Sequence, residues 1–215
     1  MILWEESYAF THYQSNHFHY AWWQYVLLVI VAVAGWNFLY TTTRYRSPEN
    51  LKVEFYCEAA VDTQDLERIE ALLESIRQTE MPDMEEVTYT SVGYDKTYGD
   101  MQLTVWMAAG QGDVYLLSNE KYQSTADSMM DLTPYVENGT LNVEGIDLTR
   151  GYSIRSETGE RVLTGIPADS LTGLHDYNLV GEGYTLSILE ANGNDENSLK
   201  LLNWFLTHLR GGNQQ

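Results

Sequence analysis

The sequence predicts an α/β protein in two parts: a single N-terminal transmembrane helix, then one domain with a mainly parallel sheet flanked by helices. Charge distribution separates the two parts. Residues 7–43 contain no Asp, Glu, Lys or Arg, whereas the chain from residue 48 onward holds 10 basic and 29 acidic residues. Strand-like and helix-like segments alternate from residue 51, which is typical of a parallel sheet with crossover helices.

A membrane helix is predicted at residues 21–40, AWWQYVLLVIVAVAGWNFLY. Twenty residues at 1.5 Å each give about 30 Å of helix, the thickness of a hydrocarbon core. Trp and Tyr lie at both ends, where the headgroup region favours their rings. The alternative is a buried core helix. A cleavable signal peptide fits less well, because no basic residue precedes the run and no small-residue site closes it. We therefore expect a tail at 1–20, an uncleaved anchor at 21–40 and a linker at 41–50.

Hydrophobic periodicity assigns the elements of the domain, which is predicted at 51–210, before a disordered C-terminus at 211–215. Strands are predicted where apolar residues alternate or form short runs: 51–56, 86–92, 113–117, 162–166 and 184–189. Helices are predicted where apolar residues recur every three or four positions: 63–78, 99–109, 121–130 and 195–209. Residues 132–136 form a turn into a short segment.

Local signals mark the ends and faces of these helices. Asp62 or Thr63 offers an N-cap for the first helix of the domain. Gly110 is expected to stop the second helix. Three apolar residues of that second helix share one face: Met101, Val105 and Ala108.

Composition excludes several classes of function. A net charge of −19 argues against nucleic-acid binding, because the protein could not neutralise a run of phosphates. A single cysteine, Cys57, excludes a disulfide framework and any multi-thiolate metal site. His12, His17 and His19 do not share a helix face, so we predict no metal there. The oxygen-rich segment 192–197 lacks EF-hand spacing and is explained by helix capping. No cofactor is predicted.

Three segments together resemble a known family. They are AAGQGDVYLLS at 108–118, MDLTPYVENGTL at 130–141 and VLTGIPAD at 162–169. In this order they are similar to extracellular solute-binding proteins of the periplasmic-binding-protein-like type II group. The resemblance implies one lobe of that fold, because only about 15 loop-like residues separate residue 169 from the next strand. The chain thus resembles a short, one-lobe, membrane-anchored bacterial relative.

The resemblance implies a function and a location. We expect a non-catalytic, extracytoplasmic module that binds a small ligand or is an accessory to a transporter or envelope complex. The alternative is a protein–protein interaction scaffold that has lost ligand binding. An enzyme is the third interpretation: Ser170, His175 and Asp176 have the residue types of a triad but neither a nucleophile elbow nor a distant base. Arg44 and Arg46 follow the span, and the positive-inside rule alone would place the domain in the cytoplasm; we expect it outside.

A ligand of an open α/β sheet binds beyond the carboxyl ends of the strands. The polar residues at or just after the ends of the predicted strands are therefore the candidate ligand-binding residues. They are Glu58, Ser91, Tyr94, Ser118, Asn119 and Asp169.

Overall fold

The computed structural model of the chain describes residues 3–43, 47–93, 98–190 and 193–211. Its two compact units are Met1–Arg46 and Ser47–Gln215. The first unit contains one 41-residue helix, α1 (Leu3–Thr43). Helix α1 thus includes most of the stretch that the sequence assigned to a tail. The physical reason is that residues 3–34 contain no Pro or Gly to interrupt a helix.

Part of α1, Trp22–Thr43, is long and apolar enough to cross a membrane, judged by length and composition. Its 22 residues span about 33 Å, slightly more than a hydrocarbon core. Every side chain of this part is exposed, whereas a core helix would bury one face. Near its end, the Thr43 hydroxyl donates to the Leu39 carbonyl oxygen at 2.6 Å, so this polar group is satisfied within the helix.

The second unit contains five helices and seven strands among its described residues. The helices are α2 (Thr63–Glu80), α3 (Tyr98–Ala108), α4 (Asn119–Thr125), α5 (Thr133–Glu137) and α6 (Asp195–His208). The strands are β1 (Lys52–Cys57), β2 (Glu86–Ser91), β3 (Val114–Ser118), β4 (Tyr152–Ile154), β5 (Arg161–Leu163), β6 (Ile166–Pro167) and β7 (Tyr184–Ile188). The predicted order from β1 to β3 is confirmed.

Five of the strands form one mixed sheet in the order β2-β1-β3-β7-β6. Strand β1 is parallel to both β2 and β3, as the sequence predicted. Strand β7 is antiparallel to both β3 and β6, so the expectation of a mainly parallel sheet needs correction. The reason is that β6 and β7 are joined without a crossover helix across the sheet, and β7 therefore returns beside β6 in the opposite direction.

Helices cover both faces of this sheet. On one face, α2 and α6 pack over β1, β3 and β7, with Phe55 and Phe205 in contact at 5.1 Å between ring centroids. On the other face, α3 and α4 cover Tyr56, Tyr115 and Leu117. Strands β4 and β5 pair separately as a short antiparallel hairpin. The N-cap of α2 is Asp62, whose carboxylate accepts the Asp65 N–H at 2.8 Å.

One further expectation differs from the structure. The predicted strand at 162–166 is divided into β5 and β6, because the N–H groups of Thr164 and Gly165 both bond to the Gly151 carbonyl oxygen instead of a ladder. The apolar face of α3 that carries Met101 and Val105 is exposed, and the opposite face with Leu103 is buried.

Candidate functional site

The carboxyl ends of four strands meet at one edge of the sheet. Strands β1, β2 and β3 run in the same direction, and β6 runs with them because β7 is antiparallel to both β3 and β6. The candidate residues lie at or just after the ends of these four strands in the sequence, and the structure therefore brings the described ones to the same edge. Tyr94 lies outside the described residues. The contacts of the other five divide this edge into two halves. In the internally satisfied half the polar groups bond to other groups of the protein, and the open half borders a cleft.

Glu58 belongs to the internally satisfied half. Its side chain is buried, one carboxylate oxygen accepts the Ser118 N–H at 2.9 Å, and the other lies 3.3 Å from Lys121 Nζ. Lys121 Nζ also donates to the Gly93 carbonyl oxygen at 2.7 Å. These contacts tie the ends of β1, β2 and β3 to α4. Both charges are used inside the protein, so Glu58 and Ser118 have a structural role at this edge.

Ser91 also makes an internal contact. It is the last residue of β2, and its hydroxyl donates to the Ala59 carbonyl oxygen. This hydrogen bond joins the end of β2 to the segment after β1. Ser91 is exposed, but its hydroxyl proton is already donated to this hydrogen bond.

Asn119, Arg150 and Asp169 form the open half. The Asn119 amide oxygen accepts from Arg150 Nη1 at 2.6 Å, and its amide nitrogen donates to the Thr185 hydroxyl at 3.0 Å, in the orientation that satisfies both amide atoms. Arg150 Nη2 forms an ion pair with one oxygen of Asp169. The other oxygen of Asp169 accepts the Gly183 N–H at 3.0 Å. A chain of polar contacts therefore links the ends of β3 and β6 to the start of β7.

Arg150 and Asp169 line an open cleft of about 430 Å³. Its remaining lining residues are Gly145, Ile146, Asp147, Pro167 and Ser170. Arg150 and Asp169 are 41% and 40% exposed, so both retain hydrogen-bonding capacity towards the cleft. The hydroxyl oxygen of Ser170 is buried and has no hydrogen-bond partner among the described residues.

The cleft carries a slight net negative charge. Asp147 and Asp169 contribute two carboxylates against the single guanidinium of Arg150. The Thr149 hydroxyl donates to Asp147 at 2.5 Å, and this hydrogen bond lowers the pKa of Asp147 below its ordinary value. Asp147 therefore stays ionised at neutral pH, and a strongly anionic ligand would meet repulsion here.

Arg150 was missed by sequence reasoning. It lies in the 3-10 turn Thr149–Gly151, which follows no predicted strand. A usable signal was its rarity: the acidic part of the chain holds only 10 basic residues.

The described residues contain no nucleophile activated by a neighbouring base at this edge. Ser170 has no hydrogen-bond partner there, so His175 does not take its proton, as a catalytic pair would require. Within the described ranges, no group of three or more His, Cys, Asp or Glu side chains is arranged to hold a metal ion. The side chains of His12, His17 and His19 lie outside the described part.

No protein family model and no curated protein matches this sequence. Parts of solved structures do overlap it. A family 1 extracellular solute-binding protein from Alicyclobacillus acidocaldarius covers 60% of this chain and 33% of its own, with 14% identity and a TM-score of 0.41. The structure of maltose-bound MalE3 from T. maritima covers 60% and 33%, with 18% identity and a TM-score of 0.41. A de novo designed esterase covers 55% and 28%, with 17% identity and a TM-score of 0.40.

The chain spans about a third or less of the length of these structures. Two are binding proteins and one is a designed enzyme. Such matches are a partial likeness in fold, and they carry no argument about the ligand, the partner or the activity of this chain.

Proposed function

We propose that this protein is a membrane-anchored, extracytoplasmic, solute-binding-like module that binds a small molecule in the cleft beside Arg150 and catalyses no reaction. The observation that carries the proposal is the Asn119–Arg150–Asp169 chain of contacts at the edge where parallel strands end. Open α/β sheets bind ligands at this edge. In the cell, the module delivers its ligand to a transporter or acts as an accessory of an envelope complex.

The cleft has the composition of a small-molecule site. Its volume of about 430 Å³ lies in the range of roughly 300–1,000 Å³ that such sites occupy. Ile146 and Pro167 supply apolar wall, while Arg150 and Asp169 supply a donor and an acceptor of fixed orientation.

Ligand screening by thermal shift tests this proposal. The soluble unit 47–215, after its folding is checked by circular dichroism, is screened against sugars, amino acids, peptides and metal ions. A true ligand at a hundredfold excess over Kd stabilises the protein by about 2.7 kcal/mol. We expect Arg150→Gln to abolish the shift. Lys200→Gln, which removes one exposed cation from α6, should retain it.

Each outcome of the screen has a definite meaning. A shift that persists in Arg150→Gln would place the ligand outside this cleft. The absence of any shift with every class would contradict ligand binding. The alternative function, an interaction scaffold, would then be favoured by the exposed apolar face of α3.

The proposed topology has the acidic unit outside the cell. Arg44 and Arg46 favour the opposite orientation, but two or three basic residues are a weak bias against export of a long folded domain. Protease treatment of intact cells distinguishes the two orientations. We expect residues 47–215 to be digested in intact cells and a cytoplasmic control protein to survive. Digestion only after lysis would reverse the topology.

A further inference from the structure

We infer that Asn138 is a site of spontaneous deamidation, at which the side-chain amide is lost through a cyclic imide and the chain gains one carboxylate. Asn138 ends α5 and precedes Gly139 in an exposed loop. Asparagine before glycine is the pair most prone to this reaction, because glycine has no side chain to keep its backbone nitrogen away from the neighbouring amide carbon. The reaction needs only water, and it proceeds without an enzyme or a cofactor.

The loop around Asn138 is open to solvent. Asn138, Gly139 and Thr140 are all exposed. A Cβ placed on Gly139 would meet no atom within 4 Å, so no neighbouring residue fills the space around it. Gly139 has a φ of +78°, and glycine leaves and re-enters this conformation without steric cost. The backbone can therefore move locally into the geometry that ring closure requires.

Two hydrogen bonds favour the attack. The Gly139 N–H donates to the Val136 carbonyl oxygen at 3.2 Å, at the long end of the range for such bonds. The attacking nitrogen is therefore released at little cost. The Asn138 side-chain oxygen accepts the Thr140 N–H at 2.9 Å. This second bond draws electron density away from the amide carbon of Asn138, which makes that carbon a better target.

The reaction replaces an amide by a carboxyl group in two steps. In the first step, the Gly139 backbone nitrogen gives its proton to solvent and attacks the side-chain amide carbon of Asn138. A C–N bond forms, the bond from that carbon to the amide nitrogen breaks, and ammonia leaves after taking up a proton. In the second step, water opens the cyclic imide at either of its carbonyl carbons, which gives aspartate or isoaspartate. No oxidant or reductant takes part.

The isoaspartate product changes the structure beside the loop. In this product the backbone runs through the former side chain and is one carbon atom longer. Leu141 is 2% exposed and donates its N–H to the Tyr135 carbonyl oxygen at 2.9 Å. A longer backbone between Tyr135 and Leu141 strains this hydrogen bond. The Asn142 N–H is held by the side-chain oxygen of Asn203 on α6 at 2.9 Å, so we expect the disturbance to end there.

Asn142 provides a matched internal control. It is exposed, it belongs to the same loop, and its side-chain oxygen accepts the Glu144 N–H at 3.2 Å. The main difference is the next residue, Val143, whose branched side chain hinders ring closure. A comparison of the two asparagines in one chain therefore needs no variant.

Peptide mass spectrometry of the full chain tests the inference. The protein in detergent is incubated for days in mildly alkaline buffer, checked for folding by circular dichroism and digested at acidic pH, where ring closure is slow. We expect conversion at Asn138 at least tenfold above that at Asn142, with isoaspartate as well as aspartate in the product. Gly139→Ala should slow the conversion at least tenfold. Asn192 also precedes a glycine but lies outside the described residues, and it is followed in its own peptide.

Two results would overturn the inference. One is conversion at Asn138 no faster than at Asn142. The other is conversion in the urea-denatured chain alone, which would show that the fold protects Asn138. Hydrogen exchange of the peptide that contains Leu141 tests the structural consequence separately. Exchange should be faster in the aged protein than in the fresh protein, and equal rates would contradict the strain on the Leu141 hydrogen bond.

Discussion

Lys121 Nζ lies 3.3 Å from a carboxylate oxygen of Glu58, and the two side chains are only 8% and 7% exposed. Removal of the cation leaves a buried carboxylate without its counter-charge. We expect Lys121→Met to lower the free energy of unfolding by about 3–5 kcal/mol, measured by urea titration of residues 47–215. The exposed pair Lys200–Glu196 serves as the control, and Lys200→Met should cost less than about 1 kcal/mol.

A double substitution separates charge from packing at this pair. When Lys121→Met is combined with Glu58→Gln, no buried charge remains from the pair, and the amide oxygen introduced by Glu58→Gln can still accept the Ser118 N–H. The double variant should therefore be more stable than Lys121→Met alone. If it is less stable, the interaction is governed by side-chain packing.

Adding a side chain at Gly110 and at Gly112 should lower the free energy of unfolding by different amounts. Both have positive φ, +67° and +82°, which disfavours any L residue. A Cβ at Gly110 would meet no atom within 4 Å, so Gly110→Val should cost roughly 1 kcal/mol from conformation alone. A Cβ at Gly112 would lie 2.5 Å from the Tyr115 hydroxyl oxygen, so Gly112→Ala adds a steric clash. Urea unfolding should rank Gly112→Ala as the more destabilising, and the opposite order would be inconsistent with this geometry.

The stability of the folded protein should depend on pH through the ionisation of Asp113. Burial raises the pKa of its carboxyl from 3.8 to about 6 in the folded protein. The folded state therefore binds this proton more tightly than the unfolded state. The stability it contributes is fully present below pH 3.8 and is lost as the pH rises through about 6.

The substitution Asp113→Asn isolates this effect. An amide oxygen can still accept the Glu54 N–H, which lies 2.6 Å from the Asp113 carboxylate, and it does not ionise. Relative to the wild type, Asp113→Asn should gain about 1–3 kcal/mol between pH 4 and pH 7. The control Asp83→Asn, at an exposed position, should change little over the same range. A constant difference between wild type and Asp113→Asn would contradict the assignment.

The apolar part of α1 predicts the behaviour of the intact chain. The full chain should stay with membranes through alkaline washing and require detergent for extraction, whereas residues 47–215 should be soluble. Placing two charges at its centre, Ile30→Arg with Val31→Arg, should impair insertion, because each costs roughly 2.5–3.5 kcal/mol. Intact wild-type chain in a washed, detergent-free soluble fraction would argue against a membrane span.

The sequence predicted the first half of the domain well for a physical reason. Strand β3 is apolar on both faces, and α2 has a clear buried stripe of Ile69, Leu73 and Ile76. These patterns arise from burial, and burial is what periodicity detects. The alternation within β7 gives the faces of the strand and not its direction, which follows from the connection to β6 without a crossover helix.

The exposed face of α3 and the role of Arg150 were also beyond the sequence. Helix α3 is apolar on several sides, since Trp106 and Met107 pack inward while Met101 and Val105 face out, so spacing alone did not select the buried side. Arg150 reaches Asp169 through tertiary structure, from a 3-10 turn without a pattern of its own. The described candidate residues lie at the strand ends, but Glu58 is paired within the protein, and local sequence patterns cannot reveal a long-range ion pair.

Because Cys57 is buried in β1, its reaction with a thiol reagent can be used to measure the opening of the domain. The thiol is enclosed in the sheet, and burial raises its pKa above the ordinary value, so the reactive thiolate is scarce in the folded state. A thiol reagent reaches the sulfur only when the structure opens. The rate of modification then reports how often the sheet opens in the intact protein. Because the chain has a single cysteine, one labelled position reports that opening frequency without purification.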